Sequence, residues 1–84
     1  MNPIDLKTEV AAVIAVRWDT FAAEHPNVAR VIDQYLLVEA AVSHLRTDPD
    51  YLTAMDNARA VNAGEEFLVK LLDRYVSAWL GKLV

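Results

Sequence analysis

The chain has 84 residues, 55% of them hydrophobic, no cysteine and a formal net charge of −4. That length makes one domain over residues 1–84, and the absence of cysteine excludes disulfides and thiolate-held zinc. The acidic balance argues against nucleic acid and anionic membrane surfaces as partners, which call for clustered Lys and Arg; here Arg17, Arg30, Arg46, Arg59 and Arg74 are scattered along the chain.

A domain this small buries only about 60–65% of its unfolded surface. Its apolar share exceeds the usual ~45–50%, which is more than one small core hides. The surplus has to face solvent, a subunit interface or a ligand. Closed pairs are the commonest oligomers, so a homodimer, or a complex with another helical protein, is the expectation. The N-terminal stretch carries Asp5 and Glu9 and lacks the basic start of a signal peptide. Val10 to Val16, the longest apolar run, falls far short of the ~20 residues needed to span a bilayer. Met1-Asn2 does not match the glycine-dependent lipidation signal. These features predict a cytoplasmic protein with no membrane partner.

In chain order, Asn2 is placed to cap a first helix, with Pro3 at its first position and Asp5 facing its positive end. Leu6, Val10, Val13, Ile14, Trp18 and Phe21 form its apolar stripe. At His25-Pro26-Asn27 either Pro26 opens the second helix or Asn27 caps it. Val31, Tyr35, Val38, Val42 and Leu45 then recur at steps of four and three, a coiled-coil-like seam. Asp48-Pro49-Asp50 is the strongest start signal in the chain: a capping Asp, Pro at the first position and an acidic first turn. The third segment, 49–84, would be about 50 Å long as one straight helix, against ~30 Å for its neighbours. Asn62-Ala63-Gly64 offers a kink or break, with Asn62 and Glu65 resembling a capping pair. Glu66 and Lys70 stand at a favourable helical spacing. The expected fold is all-α: a small bundle of three long helical segments, the third kinked or broken near Asn62-Gly64, giving three or four helices.

No motif carries chemistry. His25 and His44 are the only histidines. Glu39 and His44 are five apart, about 500° of helical rotation, so they diverge. No metal site or cofactor is expected. Ser43 and His44 are adjacent, hence about 100° apart on a helix, and no nucleophile elbow or phosphate loop is present. The acidic pairs Asp48/Asp50 and Glu65/Glu66 suit helix first turns. Glu39, set in a long apolar stretch, is the one carboxylate to inspect for a raised pKa.

Val16, Ile32, Leu36 and Leu37 lie off the main stripes, and a helix apolar nearly all round is buried nearly all round. Trp18 and Trp79 are large apolar anchors, Trp18 the better core candidate and Trp79 divided between core and interface. Val16, Leu36, Leu37, Phe67, Leu71 and Trp79 are therefore the candidate interface residues of a non-catalytic, self-associating helical module. The same surplus would also serve a small apolar-ligand carrier with a pocket between helices; an enzyme or enzyme subunit is the third reading.

Overall fold

In the computed structural model, which describes residues 5–83, the starts of the helices explain their number. Among the described residues there are five helices: α1 (Leu6–Glu24), α2 (Pro26–Val31), α3 (Gln34–Thr47), α4 (Pro49–Ala60) and α5 (Glu65–Lys82). No strand occurs among the described residues. The proposed Asn2-Pro3 start lies outside them; α1 begins after Asp5, whose carboxylate accepts from Thr8 Oγ1 at 2.7 Å.

The described residues are all-helical, but they are divided into five helices rather than three or four. The additional break falls at Ile32-Asp33. Ile32 is extended, and Asp33 caps α3 by accepting from the Leu36 amide at 2.8 Å. A helix has four amide hydrogens without partners at its start, and a capping carboxylate satisfies one of them. Pro26 takes the first position of α2, the first of the two alternatives at that junction. Asp48 caps α4, accepting from the amides of Asp50 and Tyr51 at 3.0 and 3.4 Å. Asp48→Ala is expected to lower stability by about 1 kcal/mol, read as a fall in the urea midpoint at constant slope; an unchanged midpoint would contradict the cap.

Between α4 and α5 the chain turns at Val61–Gly64. Asn62 has φ 57°, the left-handed region that Asn tolerates better than most residues. Gly64, with no side chain to cap with, flanks the start of α5, so the expected Asn62–Glu65 capping pair does not form. The break leaves much of the apolar phase in place. In a continuous helix Tyr51, Met55 and Ala58 would share a face with Val69, Leu72, Val76 and Trp79; of these Leu72 and Val76 are buried in α5, together with Leu68 and Leu80, while Val69 and Trp79 are half-buried.

Helix α1 packs most extensively on α3, with α5 alongside both. Tyr51 of α4 meets Tyr75 of α5 edge-on at 5.6 Å, and Tyr75 Oη donates to the Asp50 carbonyl at 3.4 Å. The start of α4 thus lies beside the later part of α5, and the short turn makes the two antiparallel. The core joins Val10 and Ile14, Leu37 and Leu45, and Leu72 and Val76. No polar or charged side chain is buried among the described residues. Apolar burial is therefore the interaction that holds the helices together.

Candidate functional site

Helices α1 and α5 run parallel with a groove between them. Glu9 to Arg17 of α1 face Val69 to Asp73 of α5, and Arg17 to His25 face Ser77 to Gly81. The register rises together along both helices, which only a parallel pair allows. The groove widens into two open cavities of about 260 and 370 Å³, and Val16 and Arg17 line both. Val16 is 83% exposed.

One ion pair crosses the groove. Arg17 Nε and Nη2 both donate to Asp73 Oδ1, at 3.1 and 2.9 Å, and Ser77 Oγ donates to the same oxygen at 3.2 Å. Both charged side chains are more than two-fifths exposed, so the pair contributes little to stability. It spans the groove between α1 and α5, beside the apolar surface of Val16. Arg17 and Asp73 are 56 residues apart, beyond the reach of periodicity arguments.

Of the candidate interface residues, Val16 lies in this groove. Leu36 is exposed on the face of α3 away from the core, and Phe67 is exposed on α5. Leu71 and Trp79 are half-buried against the protein's own core, and Trp79 stacks on His44 with centroids 5.9 Å apart. Leu37 is 1% exposed and has to be removed from the set: α3 turns about 100° between Leu36 and Leu37, which carries Leu37 into the core. The sequence reading missed Val31, Tyr35, Leu52 and Val61, all of them exposed. Val31 and Tyr35 belong to the expected coiled-coil-like seam, which Asp33 interrupts. Asp33 beside a following helical stripe was the available signal.

Glu39 is a surface partner of Lys7, at 2.7 Å from its Nζ, and Lys7 also sits over the Tyr35 ring at 5.2 Å. The Lys7 ammonium holds the Glu39 carboxyl below the ordinary carboxylate range, the opposite of what a general acid needs. A lowered pKa makes the pair's contribution complete above the usual glutamate range and lost as pH falls through Glu39's own pKa. Lys7→Met is expected to move the Glu39 midpoint upward in a carbon-13 NMR titration; an unmoved midpoint would dismiss the pair.

His44 Nε2 lies 3.3 Å from Asp48 Oδ2, and His25 lies 3.9 Å from Glu24. No group of three or more His, Asp or Glu side chains is placed to hold a metal among the described residues. Asp50, Glu65 and Glu66 occupy helix first turns, where the helix dipole favours them. No described helix is long and apolar enough to cross a membrane. Comparison with known proteins yields no family: no family model, no curated protein and no solved structure matches the chain.

Proposed function

We propose that the chain is a non-catalytic helical interaction module that self-associates, and that the α1–α5 face is where it does so. The observation that carries this reading is Val16. It stands 83% exposed, with a cavity on either side, on a protomer whose core is already closed by other residues. A lone exposed valine is ordinary. One set into a grooved face between two helices is what a partner's side chains cover. Leu36 and Phe67 add exposed apolar surface on α3 and α5. The test is solution mass by light scattering on a sizing column, across a hundredfold range of concentration. A mass of two chains or more supports the reading, and a mass of one chain throughout rejects it.

A second reading rests on the larger cavity. Its ~370 Å³ falls within the range of small-molecule sites, about 300–1,000 Å³. Val16, Phe21 and Leu80 line it together with Arg17, Thr20, Glu24, His25 and Ser77, which suits a small amphipathic ligand better than a wholly apolar one. A monomer whose melting temperature rises with a short-chain fatty acid, and whose Phe21 signals shift on addition, would favour this reading. No shift at millimolar ligand would count against it.

A further inference from the structure

We infer that α2 is a strap that opens and recloses on its own while the other helices keep the core shut. The inference concerns the single protomer and holds whether or not two copies pair.

The buried core draws its side chains from α1, α3, α4 and α5, and α2 contributes none. Those four helices pack on one another, whereas α2 packs on α1 alone among the described residues. It is held by Val28 and the following Ile32, both half-buried at the edge of the core; Val31 is 75% exposed. Local sequence adds little. The six residues of α2 fall well short of the ~12–15 that an isolated helix needs in water. Asn27, Val28 and Val31 are poor helix formers, and His25 before it makes no side-chain cap.

The neighbouring helices are closed without α2. The His25 amide donates to the Phe21 carbonyl at 2.8 Å, which completes α1. The Leu36 amide donates to the Asp33 carboxylate at 2.8 Å and the Leu37 amide to the Asp33 carbonyl at 3.0 Å, which starts α3. His25 and Asp33 are therefore the fixed ends of the strap. Opening breaks α2's own bonds, among them Ala29 to His25 and Ile32 to Val28, both at 3.0 Å, and takes no cap from another helix. Elements with few buried contacts open at a far lower free energy than the core. The open strap turns Val28 and Ile32 out beside Val31, Tyr35 and Leu36, which are already exposed. Opening of α2 thus sets how much apolar surface this end of the bundle shows, without unfolding the protein.

Native-state hydrogen exchange in low urea tests this. The amides of Ala29, Arg30, Val31 and Ile32 are expected to show measurable and similar protection, at least about a hundredfold below that of Ala41 and Val42 in α3, and nearly independent of urea because local opening exposes little surface. Ala29→Pro removes a hydrogen bond inside α2 and clashes with the preceding turn. It is expected to abolish protection in α2, to keep that of Ala41 and Val42, and to lower the melting temperature by no more than about 8 °C. Ala41→Pro, the same change in α3, is expected to unfold the protein. Protection in α2 equal to that of α3 overturns the inference, as does no protection in α2 at all. An Ala29→Pro protein that unfolds as Ala41→Pro does also overturns it.

Discussion

Leu37→Asp is expected to unfold the protein, whereas Leu36→Asp, one residue earlier, leaves it folded. Leu37 is 1% exposed, in the core of a helix that packs on α1, α4 and α5. Removing a buried leucine side chain alone costs about 2–5 kcal/mol. Asp adds an unpaired polar group at a site with no buried polar partner among the described residues, at a further cost of several kcal/mol. A domain of this length has about 4–13 kcal/mol of stability in total, so the substitution removes most or all of it. Leu36 faces solvent, and surface changes of this kind stay within about 0.5 kcal/mol. Circular dichroism at 222 nm with a thermal scan separates the two. A cooperative melt of Leu37→Asp near that of the parent would refute the assigned rotation of α3.

Val16→Glu is expected to have the largest effect on assembly and almost none on the fold of the protomer. The side chain is 83% exposed, and Glu forms helix somewhat better than Val. The helical spectrum should therefore be retained. In a dimer built on the α1–α5 face, the same change buries an unpaired carboxylate from each copy in the interface, and association is expected to be lost. Two readings follow together: the mass falls to one chain, and the dependence of melting temperature on protein concentration disappears. A Val16→Glu protein with the mass of a dimeric parent would place the interface elsewhere.

The contrast between Leu36 and Leu37 also marks how far periodicity reaches. Both are leucines off the expected seam, and both were candidates for an interface. Hydrophobic spacing identifies α3 as apolar on more than one side, but it does not say which side faces inward. That depends on the position of α1 and α5, set by residues distant in sequence. The groove itself was illegible for the same reason. Arg17 and Asp73 are unremarkable charges on separate helices, and they meet only because α1 and α5 run parallel. Val16 was marked as surplus by its place off the α1 stripe, and its setting between two cavities followed from the packing.

What the sequence by itself determined is local. The all-helical class follows from helix-period stripes and the lack of strand and hairpin signals. Pro26 and Asp48-Pro49 mark helix starts because they act on their own backbone, within one turn. The core stripe of α1, from Val10 to Phe21, is legible because Val10, Val13, Ile14 and Phe21 recur at helical spacing. The tertiary structure decided the rest. It split the second segment at Asp33, broke the third after the left-handed Asn62, buried Leu37 while leaving Leu36 outside, and opened a groove at Val16. Each of these depends on which of several apolar surfaces finds a neighbour first. Burial is non-directional, so helices with more apolar surface than one core can hold are assigned their faces by packing, not by pattern.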